Sequence, residues 1–296
     1  MSEVSADPAE RLSTRAFIAL QYLLPQHLLT QLVHRATRSR VGWLKNALID
    51  NFVVNFRPDM RDAEQSSPLA YPTFNAFFTR ALRPGARPVD PDPAALVSPV
   101  DGTVSQIGIL DGSWLVQAKG IAYTLESLLA EQGQEVALFR GGSFATLYLA
   151  PYNYHRVHMP APGTLRAAWY VPGALFSVNA ASAASVPGLF ARNERVVCVF
   201  EQGELQFALI WVGALFVGSI GTVWHGDVTP RSPRTRAALP LDSSRSPLSL
   251  PRAAEAGRFN MGSTVILLLP PGRCTWLPEL APGKTVQVGA ALGRLT

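Results

Sequence analysis

The sequence predicts an α+β protein, with a helical region at the N-terminus followed by a mostly β core. Up to about residue 82, apolar residues recur at helical spacing. After Leu96, short apolar and β-branched segments alternate with turn residues, and the 24 prolines and 23 glycines are spread along the whole chain. We therefore expect a helical region in residues 1–95 and a β barrel or sandwich in residues 96–296.

Helices are expected at residues 15–61, with a break at Pro25, and at residues 73–82, where three phenylalanines share one face. In the second region only residues 124–131 and 173–179 have helical character. The expected strands lie at residues 96–109, 113–118, 144–149, 165–171, 195–200, 205–212, 214–223, 263–269 and 285–289.

Two long segments of the β region need separate interpretation. Residues 207–224 are uncharged and long enough to resemble a membrane-spanning helix. Their three glycines and their β-branched and aromatic residues favour two buried strands joined at a glycine. Residues 228–256 are rich in proline, serine and arginine, which predicts a long irregular loop leading towards Ser263.

Positive charge is concentrated in the N-terminal region. The net charge is +5, yet residues 11–49 contain six basic and no acidic residues, so the rest of the chain has 20 basic and 21 acidic residues. These cations alternate with apolar residues at helical spacing, which favours an amphipathic helix on an anionic membrane surface over a nucleic-acid-binding arm. The alternative is a helix docked on the protein's own core.

Other features bear on compartment. Glu3, Asp7 and Glu10 precede the apolar stretch, so neither a secretory signal nor a mitochondrial transit peptide is expected. Cys198 and Cys274 have no Cys-x-x-Cys partner, which predicts two ordinary thiols in a reducing compartment.

Two short motifs contain candidate chemical groups. Asp101-Gly102 follows an expected strand, where Asp-Gly is most often a turn. His155 and His158 lie in residues 151–160 between two prolines. Zinc binding needs three or four ligands, and no further ligand pair has suitable spacing. In an extended segment the two histidines point to opposite faces, which favours separate roles; the alternative is a polar surface loop.

The third motif is Gly262-Ser263, which precedes a β-branched segment. Such a pair is usually structural. A chemical role requires a base near Ser263 and a carboxylate behind that base, and His158 and Asp101 could supply them. Because Thr-Val follows the serine, the G-x-S-x-G turn of an α/β hydrolase is absent.

In their order along the chain, these motifs resemble the phosphatidylserine decarboxylase family. The family's Leu-Gly-Ser-Thr signature stands here as Met-Gly-Ser-Thr at residues 261–264, and methionine for leucine changes side-chain volume little. The resemblance also covers residues 74–80, 87–88, 98–108, 154–160, 217–220 and 255–263. It spans about residues 50–296, whereas the first 50 residues match in character more than in sequence.

The resemblance implies a precursor that cleaves itself between Gly262 and Ser263. Asp101, His158 and Ser263 would form a triad in which His158 removes the hydroxyl proton and Asp101 holds the imidazole in the productive tautomer. The Ser263 oxygen would then attack the carbonyl of Gly262, which no side chain obstructs. A large chain (1–262) and a small chain (263–296) should result and stay associated.

The implied cofactor is a pyruvoyl group derived from Ser263. It would form a Schiff base with phosphatidylserine and act as an electron sink during decarboxylation to phosphatidylethanolamine. His155 is the candidate acid that protonates the resulting carbanion. The implied protein is peripheral on the cytoplasmic face of a bacterial cell membrane, binds no nucleic acid or metal, and is compatible with a homodimer.

Two other functions remain open at the level of sequence. A pyruvoyl decarboxylase could act on a soluble amino acid, although the cationic, apolar N-terminal region argues against this. A lipid-binding module that never cleaves is the second alternative. The mass of the purified chain separates the module from the enzymes.

Overall fold

The computed structural model describes residues 8–131, 133–215, 219–232, 234–240, 247–260 and 264–296. The helices are α1 (Pro8–Leu23), α2 (Gln26–Thr37), α3 (Gly42–Phe56), α4 (Phe74–Phe78), α5 (Leu125–Leu129), α6 (Gln134–Phe139), α7 (Ala180–Ala183) and α8 (Leu189–Arg192). No helix in this part of the chain has the length and apolar character that crossing a bilayer requires.

The strands are antiparallel wherever they pair. They are β1 (Ala95–Val97), β2 (Gly102–Ile109), β3 (Trp114–Val116), β4 (Ala122–Thr124), β5 (Ser143–Tyr148), β6 (Arg156–His158), β7 (Gly163–Val171), β8 (Arg195–Gln202), β9 (Leu205–Val212), β10 (Ile220–Thr222), β11 (Gly226–Asp227), β12 (Ala237–Ala238), β13 (Ser249–Leu250), β14 (Glu255–Phe259), β15 (Thr264–Leu269), β16 (Cys274–Trp276), β17 (Thr285–Val286) and β18 (Ala291–Leu295). The α+β prediction is therefore confirmed.

The largest sheet has the order β12-β7-β8-β9-β15-β5-β2-β17, with β13 also paired to β7. This order has two ends, so the described strands form an open sheet and not a closed barrel. Two smaller sheets, β11-β10-β14-β6 and β1-β18-β16, supply residues to the core on one face of the large sheet. Of the two predicted architectures, packing of sheet on sheet is the one observed.

Both faces of the large sheet are buried. In β15, Val265, Leu267 and Leu269 belong to the core shared with the smaller sheets. Ile266 and Leu268 belong to a second core, shared with α5, α6, α7 and α8. All six residues of β15 are buried, and the strand pairs with β5 on one side and β9 on the other. The segment that follows Ser263 is therefore a central strand of the protein.

The helices α1 and α2 dock on the β core. The side-chain oxygens of Gln21 and Gln26 accept hydrogen bonds from the backbone N–H groups of Ser177 (2.7 Å) and Leu175 (2.6 Å), and both glutamines are buried. The docked-helix alternative is thus observed. Several large apolar side chains of these helices nevertheless face outward, among them Leu20, Leu23, Leu28 and Leu32.

The helix prediction was partly correct: residues 38–41 and 57–61 of the expected helical run are not helical, α6 and α8 lie outside the expected helices, and the prediction at residues 173–179 was wrong. The break at Pro25 separates α1 from α2, and α4 lies within the expected residues 73–82. Residues 173–179 are not helical, because the Asn193 side chain accepts the N–H of Phe176 and donates to the Phe176 carbonyl. The helix α7 begins only after Asn179, whose side chain caps it.

Strand predictions differ from the structure mainly at short elements. The expected strand 96–109 is interrupted between Val97 and Gly102, where Pro99 prevents continuous pairing. The run 207–224 contains two strands, as expected, although the second, β10, begins only at Ile220. The strand β6 lies inside the segment read as a loop, because its short sequence pairs with the distant β14.

Candidate active site

The predicted cleavage motif lies between two buried strand ends. Met261, Gly262 and Ser263 fall outside the described residues. On one side Asn260 is 3% exposed, and on the other side Thr264 is fully buried. Chain connectivity therefore places the Gly262–Ser263 bond between the end of β14 and the start of β15.

Strand pairing connects the other candidate segments to β14, the strand that precedes the motif. The N–H of Phe259 donates to the His155 carbonyl (3.0 Å), and the next residues of β6 pair with β14. The N–H of His158 donates to the carbonyl of Pro99 (2.8 Å), which joins the histidine segment to the Asp101 turn. The structure thus brings His155 to the end of β14 that precedes the motif, whereas His158 lies opposite Glu255 at the start of β14 and next to the Asp101 turn.

The Asp101 carboxylate is fixed by an arginine and a backbone N–H. Arg87 donates from Nε to both oxygens (3.0 Å each) and from Nη2 to Oδ2 (2.6 Å), and the N–H of Val288 donates to Oδ1 (2.9 Å). Asp101 is 5% exposed. Its hydrogen bonds in the described residues go to these two groups, so Arg87 and Val288, rather than His158, set the orientation of the carboxylate.

His158 is held in one tautomer. Its Nδ1 lies 2.7 Å from the carbonyl oxygen of Ala253, and because a carbonyl only accepts, Nδ1 carries the proton. Nε2 is then the unprotonated nitrogen and accepts from the Tyr154 hydroxyl (2.9 Å). Burial lowers the pKa of His158, with a small opposing effect from the charge of Asp101. The ring is therefore neutral at pH 7 and presents a basic nitrogen.

Tyr154 is a donor to His158 over the physiological pH range. Burial raises the pKa of its hydroxyl to about 12, so the group stays protonated. The Tyr154 and His158 rings also lie 5.6 Å apart, centroid to centroid. The Tyr154 hydroxyl is therefore hydrogen-bonded to Nε2, the nitrogen of His158 that is available to accept a hydroxyl proton.

His155 has different surroundings. Its side chain is fully buried, its ring packs on Phe78 with centroids 4.1 Å apart, and Nδ1 donates to the carbonyl of Asn153 (2.9 Å). Nε2 has no hydrogen-bond partner within the described part of the chain. Burial lowers the pKa of His155 to about 3, and the charge of Arg80 contributes. The two histidines thus occupy separate environments, in agreement with the prediction from their spacing.

A cavity of about 490 Å³ opens beside Asp101. Its lining includes Tyr152, Asn153, Glu279 and Lys284. The described residues contain no group of three or more histidine, cysteine, aspartate or glutamate side chains placed to hold a metal ion. The cavity therefore offers polar and charged side chains beside Asp101, and neither His155 nor His158 is among its lining residues.

Comparison with known proteins identifies the family. A family model described as phosphatidylserine decarboxylase matches residues 74–294, and a second model, described as PSD, matches residues 16–57. The chain belongs to the phosphatidylserine decarboxylase family. This establishes that it is a member of a decarboxylase family and confirms the resemblance predicted from its motifs.

Three bacterial relatives share the name phosphatidylserine decarboxylase proenzyme. The protein from Methylococcus capsulatus is 50% identical over 279 residues, which cover 94% of this chain and 96% of the relative. The protein from Ectopseudomonas mendocina is 49% identical, with 94% and 98% covered. The one from Bordetella bronchiseptica is 49% identical, with 93% of each covered.

Within this family member, sequence reasoning missed four groups of the site. Arg87 orients Asp101, Tyr154 and the Ala253 carbonyl hold His158, and Arg80 lies beside His155. Arg80, Arg87 and Tyr154 lie in segments that carry the family resemblance, which was the available signal. The Ala253 carbonyl had none, because a backbone acceptor leaves no trace in residue type.

Because burial disfavours the charged ring of His155, we expect the ring to remain neutral, with its one proton on Nδ1, between pH 8 and pH 5. Nitrogen-15 NMR of labelled histidine should show the Nδ1–H form throughout. In the unfolded chain this histidine binds a proton near pH 6.5, so stability should fall as the pH drops from about 6.5 towards 3. His155→Asn should remove this part of the pH dependence of thermal unfolding. A titration of the His155 ring near pH 6.5 would contradict the assignment.

Proposed function

We propose that the chain is a self-cleaving precursor that decarboxylates phosphatidylserine to phosphatidylethanolamine. One observation carries the proposal: a neutral His158, with its basic Nε2 directed away from the Ala253 carbonyl, lies beside the Asp101 turn, on the strand β6 that pairs with β14, the strand that precedes Gly262-Ser263. Membership of the decarboxylase family, whose bacterial members are named proenzymes, supports it.

In the cleavage step, His158 acts as the base. Nε2 exchanges the Tyr154 hydroxyl for that of Ser263 and removes its proton as the oxygen attacks the Gly262 carbonyl carbon. The proton then passes to the departing backbone nitrogen, and the peptide bond is replaced by an ester. Elimination, with loss of the Ser263 Cα proton, then releases Gly262 as the terminal carboxylate of the large chain and leaves a dehydroalanine at residue 263. Hydrolysis of this residue, with release of ammonia, gives the new terminal group of the small chain.

Asp101 has an electrostatic role in this scheme. Its carboxylate is fixed by Arg87, while the carbonyl of Ala253 already sets the tautomer of His158. The charge of Glu255 and, to a lesser extent, that of Asp101 raise the pKa of His158, so both carboxylates stabilise the imidazolium that would form during proton transfer. This differs from the tautomer-holding role predicted from the family.

The cofactor would be a pyruvoyl group derived from Ser263, whose carbonyl binds the substrate amine and withdraws electrons as the bond to the carboxylate breaks. The surroundings suit a small polar group. The hydroxyl oxygen of the adjacent Thr264 and Nε2 of His155 are both buried without partners among the described residues. Buried polar atoms are usually hydrogen-bonded, so these two atoms are available to a polar group placed between them.

His155 would move one proton twice. As a neutral ring it cannot act first as an acid, so Nε2 takes a proton from the ammonium group of the entering substrate. The imidazolium so formed returns that proton to the substrate Cα after carbon dioxide has left. The buried surroundings of His155 favour this return, because they disfavour the charged ring.

The large and small chains should remain one folded unit. The strand β15 follows the cleavage site and is paired on both sides, and β18 pairs with β1 of the large chain. Pulling the small chain out would break these pairs and expose a fully buried strand.

Membrane association is proposed through the outer face of α2. Leu28, Leu32 and Arg35 follow one another at helical spacing and are all exposed. An apolar row with a cation beside it is suited to an anionic lipid surface, which would place the enzyme peripherally on the cytoplasmic face of a bacterial membrane. The homodimer stays a prediction from the resemblance.

We expect Ser263→Ala, His158→Ala and Asp101→Ala each to accumulate the uncut chain. Ser263→Ala lacks the nucleophile, His158→Ala lacks the base, and Asp101→Ala lacks the charge that stabilises it. Intact-mass spectrometry after purification reads out cleavage directly. The exposed His225→Ala serves as the control and should be cut completely. A wild-type chain that stays intact would favour the lipid-binding module instead.

His155→Ala should still be cut but should turn over slowly. Removing one general acid–base group typically costs roughly 10²- to 10⁴-fold in rate. Mass spectrometry of the small chain gives the state of residue 263, and release of labelled carbon dioxide from phosphatidylserine and from free serine gives the rate and the substrate class. If His155→Ala blocks cleavage as fully as His158→Ala does, both histidines belong to maturation.

The double variant Leu28→Asp/Leu32→Asp should bind anionic vesicles at least about 10-fold more weakly than the wild type, because each buried leucine contributes about 1.5–3 kcal/mol. Its rate on detergent-dispersed substrate should change little. Ile109→Asp, which is 72% exposed on the β core, is the control. Unchanged vesicle sedimentation would show that α2 does not meet the lipid.

A further inference from the structure

Arg80 is a buried cation without a carboxylate partner in the described residues. The residue is 3% exposed, and its Nη2 donates to the backbone carbonyls of Tyr152 (3.1 Å) and Asn153 (3.4 Å). Nε and Nη1 are also buried and find no acceptor in the described ranges. Two of its three nitrogens are therefore removed from water without compensation, which is costly for a guanidinium.

Arg195 shows what a structural buried arginine looks like in the same fold. It is 2% exposed and also lacks a carboxylate partner in the described residues. Its Nε donates to Leu128, its Nη2 to Ser127, and its Nη1 to the carbonyls of Ala191 and Asn193. Every nitrogen of Arg195 is satisfied by backbone, whereas Arg80 retains free donors. The difference indicates that Arg80 is built for an acceptor that the described residues do not supply.

Arg80 and His155 are neighbours in the structure. Both side chains bond to the same carbonyl, that of Asn153: Arg80 from Nη2 and His155 from Nδ1. On the other side of the imidazole, Nε2 is unpartnered. One small region thus contains a cationic donor pair and a neutral nitrogen acceptor. A molecule that carries an anionic oxygen and an ammonium group on one short skeleton matches both.

We propose that Arg80 binds an anionic oxygen of the substrate head group while His155 receives its ammonium group. The inference rests on the proposed function and adds to it a residue that recognises the lipid. Phosphatidylserine offers the same chemistry from two sources, its carboxylate and its phosphodiester. The free Nε–H and Nη1–H of Arg80 lie on opposite edges of the guanidinium, so each can donate to one anionic oxygen of either group.

The experiment compares mature Arg80→Met enzyme with wild type and with Arg83→Met, an exposed arginine three residues away. Hydrogen bonds to charged groups contribute enough that we expect KM for detergent-dispersed phosphatidylserine to rise about 10- to 100-fold in Arg80→Met. Arg83→Met should leave it unchanged. Complete cleavage of the variant, read by mass, shows that its processing site is intact.

Three soluble inhibitors identify the bound group. L-Serine carries an amine and a carboxylate, glycerophosphoethanolamine an amine and a phosphodiester, and ethanolamine the amine alone. Selective weakening of serine inhibition in Arg80→Met assigns the carboxylate to Arg80, and selective weakening of glycerophosphoethanolamine inhibition assigns the phosphodiester. Ethanolamine inhibition should stay unchanged, since it lacks the anion.

Several outcomes would overturn the assignment. Unchanged inhibition by serine and glycerophosphoethanolamine would show that Arg80 binds neither anion, and equal weakening of all three inhibitors would show that it acts only through His155. If Arg80→Met is not cleaved, the same measurements are made on Arg80→Lys, which keeps the positive charge but lacks the guanidinium N–H donors. Failure of both variants to cleave would assign Arg80 to maturation. A wild-type chain that neither cleaves nor decarboxylates refutes the proposed function instead, before Arg80 is tested.

Discussion

The pairing of β15 between β5 and β9 is the constraint on which the rest of the site depends. It fixes the residue after Ser263 in the middle of the large sheet, with Thr264 opposite Tyr148 and Val212. The pairing of β14 with β6 fixes the chain before the motif in the same way. A bond between two such anchored ends can be cut while the fold persists, because the backbone pairing on each side holds its own segment.

Burial then determines the chemistry that the histidines can perform. Both rings have pKa values below that of a free histidine, because desolvation disfavours the imidazolium. Each ring also gives its Nδ1 proton to a backbone carbonyl, that of Ala253 for His158 and that of Asn153 for His155. Backbone acceptors therefore leave Nε2 unprotonated in both. Their different neighbours, Tyr154 and Phe78, give the two rings separate surroundings.

Charge in the site is placed asymmetrically. Asp101 is compensated by Arg87, which also bonds to Asp62 (2.8 Å), so this network is satisfied before any ligand arrives. Arg80, which shares the Asn153 carbonyl with His155, has no carboxylate partner in the described residues. One side of the region is thus suited to stabilising a transient imidazolium, and the other to receiving an anion.

Residue patterns alone determined the α+β class, the helix break at Pro25, the central strands and the motifs that contain Asp101, His155, His158 and Ser263. These depend on local periodicity and residue type, which the sequence contains directly. The tertiary structure decided what the patterns could not: that residues 156–158 form a strand, that the large sheet stays open, and that carbonyls rather than a carboxylate set both histidine tautomers. Those features arise from backbone groups and from pairing between segments about 100 residues apart, as between His158 and Glu255. Backbone hydrogen bonds of that range leave no signature in side-chain identity, and only the folded chain defines them.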